Sequence, residues 1–290
     1  MVVVDAHQHF WDPQAADYPW MTDELAAIRR RFGPEDLRPL LDANGVDYSI
    51  FVQARHDAEE TLDALALTRQ VDFLAGVVGW VDLTDQAVAE NLARVREEPG
   101  GEALVGIRHL VQDEPDPQWL LRPEVGRGLE AVAEADLTYD LLVRPPQFSA
   151  AVEAARRHSQ LRLVLDHIGK PAIASGAVEP WATHMTALAE LEHVACKLSG
   201  MVTEADWRSW IPSHLAPFVE RVVAWFGEDR LLFGSDWPVC LLAASYHQVK
   251  AALDQLLAGA SATARAKIYG ENALRVYRLP VTGPRDRPHP

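Results

Sequence analysis

Eight short apolar runs, each followed by a longer stretch with helical spacing, constrain this chain more than any other feature. The runs fall at 2–4, 48–53, 73–81, 103–107, 137–143, 161–165, 194–198 and 231–233. Strands that are apolar throughout are buried on both faces, and helical crossovers between them require parallel pairing. Helical spacing recurs at 34–44, 59–71, 85–97, 126–135, 148–158, 181–191 and 215–226, with closing helices at 246–257 and 262–268. Eight such units in 290 residues predict an α/β protein, a single (β/α)8 TIM barrel over 1–278, with 279–290 as a loose Pro- and Arg-rich tail. A doubly wound open sheet is the alternative, but no Gly-x-Gly-x-x-Gly follows any strand. Residues 10–34 are rich in Trp, Pro and Asp (Phe10-Trp11-Asp12-Pro13, Tyr18-Pro19-Trp20-Met21). Aromatics need something to pack on, so an ordered, functional loop is expected there.

Composition narrows the partners. Lys and Arg number 27 against 42 Asp and Glu, a net charge of −15, and no basic run offsets it. Nucleic acid and anionic membrane surfaces are therefore not expected as partners. Cys196 and Cys240 stand far apart with no Cys-x-x-Cys, so neither a disulfide framework nor a zinc finger is expected, and a reducing cytosol fits. The start has no basic and apolar leader, and no apolar run reaches the ~18 residues of a membrane span. The expectation is a cytoplasmic protein, monomer or homodimer, acting on a small molecule.

In a barrel the active site lies at the C-terminal ends of the strands. The polar residues there are His7 and His9, Gln53 and Arg55, Trp80 and Asp82, Arg108 and His109, Tyr139 and Asp140, Asp166 and His167, Ser199, and Asp236. In Asp5-Ala6-His7-Gln8-His9 the two histidines are two apart, so an extended strand turns both the same way. They are either a divalent-ion pair or two hydrogen-bonded core histidines. His167 either completes a three-ligand face or bonds to backbone. Asp236, in Phe233-Gly234-Ser235-Asp236-Trp237-Pro238, is a turn former, a metal ligand or a general base. A barrel that closes its last strand on its first brings it to the histidine pair. Arg108 and Arg144 offer forked donors to a carboxylate or hydroxyl-rich substrate, or else cap helices and form surface ion pairs. Trp11, Trp20, Trp80, Trp119 and Trp237 are packing residues or flat sugar platforms. Ser235 and Cys240 lack the partners of a nucleophilic triad.

These residues resemble the amidohydrolase superfamily, and within it the amidohydrolase-2 group of sugar lactonases of the L-fuconolactonase and L-rhamnonolactonase type. The likeness runs nearly end to end. It is carried by Val4-Asp5-Ala6-His7-Gln8-His9-Phe10-Trp11, Gly106-Ile107-Arg108-His109, Trp119-Leu120 with Arg122-Pro123, and Tyr139-Asp140-Leu141. Leu165-Asp166-His167-Ile168-Gly169-Lys170-Pro171, Lys197-Leu198-Ser199-Gly200 and Phe233-Gly234-Ser235-Asp236-Trp237-Pro238-Val239-Cys240 continue it. The resemblance implies an amidohydrolase-type barrel that hydrolyses a sugar-acid lactone to the hydroxy acid. His7, His9 and His167 match metal-ligand or carbonyl-polarising histidines, and Asp236, a fourth ligand position, matches the general base. Arg108, Tyr139, Gln53, Trp11, Trp20 and Trp237 are then the substrate contacts. Strand five lacks the bridging lysine or histidine of dinuclear members, so one divalent ion, zinc, is implied; lactonases of this group hold one metal or none. A pyrone-dicarboxylate lactonase, a metal-dependent decarboxylase and a silent sugar-acid-binding barrel are the competing readings.

Overall fold

The computed structural model describes residues 1–281 and 283–285. Its strands are β1 (Val4–Gln8), β2 (Tyr48–Val52), β3 (Leu74–Gly79), β4 (Leu104–His109), β5 (Thr138–Leu141), β6 (Arg162–Leu165), β7 (Val194–Leu198) and β8 (Leu231–Phe233). They form one parallel sheet in chain order, β1 to β8. Helices α1 (Pro34–Ala43), α2 (Ala58–Thr68), α3 (Val88–Glu97), α4 (Pro123–Glu134), α5 (Phe148–Arg157) and α6 (Trp181–Ala189) fill the connections up to β7. After β7 come α7 (Met201–Glu204) and α8 (Pro212–Phe226); after β8 come α9 (Tyr246–Leu256), α10 (Ala262–Ala266) and α11 (Asn272–Val276). This is the single (β/α)8 barrel that the eight runs predict.

The seam between β8 and β1 closes through the residues that follow β8. Asp236 N donates to His7 O at 2.9 Å, and His9 N donates to Trp237 O at 2.8 Å. The first and last strand ends therefore share backbone hydrogen bonds, and the side chains on them are forced together.

Apolar side chains pack in two sets. One lies between sheet and helices; the other fills the barrel with Val4, Ile50, Val105, Val164 and Leu232. Val276, Tyr277 and Leu279 join the inner set, beside Ala75 and Val105 at the N-terminal ends of β3 and β4. The stretch expected to be a loose tail is thus docked where it is described. Leu279 is buried, and Arg285 donates from Nε to Asp47 O at 2.9 Å with its guanidinium over the Phe73 ring. The rest of the expected tail, 282 and 286–290, lies outside the described residues.

Several helix boundaries differ from the periodicity, among them the starts of α3 at Val88 and α4 at Pro123. Helix α8 begins at Pro212, because proline at the first turn lacks only an N–H that has no partner there. The last helix runs past 268 through a wide turn, Lys267–Glu271, into α11. The 10–34 segment is ordered, as its aromatics require. Trp11 and Phe32 exchange backbone hydrogen bonds of 3.1 and 2.9 Å, and Trp11, Tyr18, Ile28 and Phe32 are buried. Among the described residues no helix is long and apolar enough to cross a membrane.

Candidate active site

Strand β1 carries an irregularity that aims His7. Val4 and Asp5 pair with Tyr48 and Ser49, but Gln8 pairs with Phe51, so β1 advances three residues while β2 advances two. An extra residue of this kind re-aims the side chains after it. Val4 and Ala6 face the barrel interior, and His7 faces it as well instead of alternating outward. Gly234 makes the room: a Cβ there would lie 2.8 Å from His7 Cβ.

Backbone in the left-handed region positions the other two groups. His167, Ile168, Gly169 and Lys170 all have positive φ (55, 46, 69 and 48°), and Asp236 has φ 58°. Such conformations are costly for side chains other than Gly, above all for a β-branched one, and persist only where the surroundings impose them. Trp181 Nε1 holds the turn by donating to Ile168 O at 2.7 Å. Gly200 (φ 62°) passes so close that a Cβ would sit 2.5 Å from His167 Nδ1.

The result is a carboxylate facing three imidazoles. Asp236 Oδ1 lies 3.5 Å from His9 Nε2, 3.7 Å from His7 Nε2 and 4.0 Å from His167 Nε2. These spacings are long for hydrogen bonds. They are near the separation of two donors sharing one tetrahedral ion, about 3.4 Å for bonds of about 2.1 Å. The remaining ring nitrogens are tied from behind. His9 Nδ1 is 2.6 Å from Val52 O, which can only accept, so it carries the proton and leaves Nε2 a free lone pair. His7 Nδ1 is 3.2 Å from Asp166 Oδ1, and His167 Nδ1 is 3.0 Å from Ser199 Oγ. The acceptor behind His9 is the arrangement of a metal-ligating histidine. His7 Nδ1 lies between Asp166 Oδ1 and Lys197 Nζ, Arg108 Nη1 stands 3.3 Å from its Nε2, and Ser199 Oγ can donate or accept at His167. The donor set therefore fits a divalent ion, with His7, His9 and Asp236 lying within 4.8 Å of one another.

Protonation states agree. Burial holds His7 and His9 below the ordinary imidazole value and His167 at about 4, so all three rings are neutral at pH 7. Burial by itself would raise the Asp236 pKa. The positive charge the imidazoles carry once protonated, His167 foremost, more than reverses this, so the net direction for the carboxyl is downward.

Behind the histidines lies a charged network inside the barrel. Lys197 is fully buried, 2.5 Å from Asp140 Oδ2, 2.9 Å from Asp166 Oδ1 and 3.1 Å from His7 Nδ1. Arg108 donates to Asp166 Oδ2 at 2.9 Å and grips Gln53 through both the side-chain and the backbone oxygen. Tyr277 donates to Asp140 at 2.8 Å. Burial opposes the charge on Asp166, and Lys197, His7 and Arg108 outweigh it and keep the carboxyl well below the usual range. The sequence reading missed Lys197 as a site residue. The signal was there: a lysine within an apolar strand is almost never fully buried unless it is paired.

A cavity of about 350 Å³ opens over this floor, with His9, Arg108, His167 and Asp236 at its base. Trp20, Arg144, Lys170, Glu204 and Trp207 stand on its walls. Four residues expected to touch substrate are elsewhere. Tyr139 pairs in register with Ile107 and Leu163, while Arg108 pairs with Asp140. In-register neighbours share a face, so Tyr139 points into the helix layer, against Leu129 and Ala151, and Asp140 takes the inner face. Trp11 and Trp237 are absorbed by the first loop. Trp11 Nε1 donates to Ile28 O at 3.1 Å, and Trp237 meets Phe32 edge-on at 5.3 Å. Gln53 is fully buried and holds Arg108. Trp20 does line the cavity, its N–H spent on Ala54 O at 2.8 Å. Ser235 Oγ accepts from Trp237 N at 3.0 Å and shapes the turn.

Comparison with known proteins follows this geometry. The amidohydrolase family profile Amidohydro_2 matches residues 4–279. L-fucono-1,5-lactonase of Burkholderia multivorans is 40% identical over 288 residues, covering 96% of each chain. The L-fucono-1,5-lactonase of Burkholderia ambifaria is 39% identical, covering 95% of each. A crystal structure of an amidohydrolase from Burkholderia multivorans with bound zinc superposes with a TM-score of 0.92 at 40% identity, over 97% of this chain and 100% of that one. With the barrel, the seam and the family profile all in agreement over nearly the full length, the chain belongs to the amidohydrolase family.

Proposed function

We propose that this protein hydrolyses a sugar-acid lactone of the L-fucono-1,5-lactone kind to its hydroxy acid, with Asp236 as general base. The observation that carries the reading is the Asp236 carboxylate at the base of the cavity, its Oδ1 3.5, 3.7 and 4.0 Å from the Nε2 atoms of His9, His7 and His167. The full-length similarity to two L-fucono-1,5-lactonases supports the substrate class.

The residues that would hold a zinc ion are His7, His9 and Asp236, with His167 beside them. Zinc in that place would polarise the lactone carbonyl and lower the pKa of the attacking water. Asp236 takes the proton of the water as its oxygen bonds to the carbonyl carbon. The ring C–O bond then breaks, and the leaving alkoxide recovers the proton from Asp236. His9 cannot act as oxyanion donor in its neutral form, because its single N–H is committed to Val52 O. Arg108 keeps a permanent positive charge at the base of the cavity, fixed in direction by Gln53 and Asp166.

A pyrone-dicarboxylate substrate is disfavoured by the same walls. Arg108 is spent on Gln53 and Asp166, and Glu204 and Asp113 face the cavity from the rim. The test is proton release from a panel of aldonolactones and a pyrone dicarboxylate, read with a pH indicator against the spontaneous rate. One aldonolactone should open fast, and Asp236→Asn should lose at least ~100-fold in turnover. Near-normal turnover in that variant removes Asp236 from the role.

A further inference from the structure

The cavity wall carries an ion pair with nothing to bond. Lys170, at the end of the left-handed turn after β6, and Glu204, at the end of α7, face each other with Nζ and Oε1 3.9 Å apart. That is too far for a hydrogen bond. Both side chains are largely buried, at 15% and 21% exposure, yet neither makes a hydrogen bond to any described residue. Both line the cavity. Burial acts on the two in opposite directions, lowering the Lys170 pKa and raising that of Glu204, as it does for charges left short of partners. Lys197 and Arg108, deeper in the barrel, are engaged: Lys197 has two carboxylates and Arg108 has Asp166 and Gln53. The pair on the wall has no such partners, and it faces open space.

Its neighbours define what fits. Trp20 and Trp207 stand on the same cavity with their N–H groups already spent, on Ala54 O at 2.8 Å and Thr203 O at 2.9 Å. They offer rings without donors. Arg144 adds a positive charge near both members of the pair. A ligand here needs apolar ring faces and a group that both donates and accepts. A hydroxyl does both, giving its proton to Glu204 and taking one from Lys170, with its oxygen about 2.8 Å from each.

We propose that Lys170 and Glu204 form a hydroxyl clamp that selects lactones bearing a ring hydroxyl, an inference that rests on the lactonase reading. The clamp is neutral as a pair, so it suits an uncharged polyol ring. Glu204 would repel a substrate carboxylate placed against it. A charge-assisted hydrogen bond to one hydroxyl corresponds to about 10- to 100-fold in affinity.

The test uses three probes. L-Fucono-1,5-lactam, an amide counterpart that resists opening, reports binding by calorimetry; L-fucono-1,5-lactone and the hydroxyl-free δ-valerolactone report turnover. Glu204→Gln and Lys170→Met should each weaken lactam binding about 10- to 100-fold and raise KM for the hydroxylated lactone more than they lower kcat. The loss in kcat/KM should be at least tenfold larger on the hydroxylated lactone than on δ-valerolactone, and Lys170→Arg should recover part of it. Thermal melts confirm that the variants are folded, and Lys170→Gln replaces any that is not. Lactam binding equal to wild type, or equal losses on both lactones, overturns the clamp while the lactonase reading stands. A wild type that binds the lactam through the pair but opens no lactone overturns the reaction and keeps the clamp. A wild type that does neither overturns both.

Discussion

Among the described residues, histidines and carboxylates gather in two places at the C-terminal end of this barrel, the base, where His7 also meets Asp166 and His167, and the rim. His7 and His9 meet Asp236 at the cavity base; His56 and His109 meet Glu114 on the rim. In each, one ligand atom per residue lies within 4.8 Å of the others. They differ in what holds the second ring nitrogen. At the base, an acceptor sits behind His9, where Val52 O takes the Nδ1 proton; Nδ1 of His7 lies between Asp166 Oδ1 and Lys197 Nζ. On the rim, a donor sits behind: Trp80 Nε1 points at His109 Nδ1 from 3.2 Å, so the ring proton is displaced to Nε2, where Glu114 accepts it at 2.7 Å. His56 Nε2 already accepts from Leu110 N at 2.9 Å, and the two rim rings stack face to face, 3.8 Å between centroids. Proximity is common to both clusters. The tautomer divides His9 from the rim: its Nε2 lone pair is free at the base, whereas the rim rings spend theirs on Trp80 and on Leu110 N. Trp119, stacked on His109 at 4.1 Å, completes an aromatic column that works as packing.

The comparison breaks first at the level of metal. Zinc added to chelated protein and followed by equilibrium dialysis should bind at one site per chain. His9→Ala should weaken that binding by at least ~100-fold, more than the 10- to 100-fold typical of losing an outer-shell partner alone, and turnover should fall with it. His109→Ala should retain the zinc and keep turnover within about threefold. Zinc lost from the rim variant and kept by the base variant would exchange the two assignments.

What the sequence made legible follows the same division between identity and orientation. Apolar runs ending in polar residues gave the strands, and the barrel then placed His7, His9, His167 and Asp236 together. Orientation was not legible. The extra residue in β1 that turns His7 inward leaves no mark on the Val4-Asp5-Ala6-His7 string. On β5 the choice between Tyr139 and Asp140 is one of parity, and it is settled by pairing with Arg108, a contact between strands some thirty residues apart. The left-handed run from His167 to Lys170 includes only one glycine, so three of its four residues give no warning. Lys197 reads as a flaw in an apolar strand until Asp140, on β5, and Asp166, just after β6, are seen around it.

The rim cluster should show itself in acid. Burial lowers the His109 pKa to about 4, against the pull of Asp82, whereas an unfolded histidine titrates near 6.5. The unfolded chain therefore takes up the proton first as pH falls. This contribution to stability is complete above about pH 6.5 and is lost progressively down to about pH 4, by at most about 3 kcal/mol. Urea midpoints of chelated protein at pH 7.5 and 4.5 should differ more for the wild type than for His109→Gln. An equal difference in both would place the acid sensitivity elsewhere.

The smallest change is the one that should convert the rim towards the base. Trp80→Phe keeps an aromatic ring beside His56 but removes the N–H that fixes His109 as the Nε2–H tautomer. Losing a neutral hydrogen bond of this length costs about 1 kcal/mol. In exchange, the ring can carry its proton on Nδ1 and turn an Nε2 lone pair towards Glu114. A second, weaker zinc equivalent should then appear in dialysis of Trp80→Phe, and it should vanish again in the double variant with Glu114→Gln. The site stays weak because His56 Nε2 remains engaged by Leu110 N and the stacked rings cannot both point at one ion. If Trp80→Phe binds no more zinc than wild type, the stacking, and not the tautomer, is what keeps the rim free of metal.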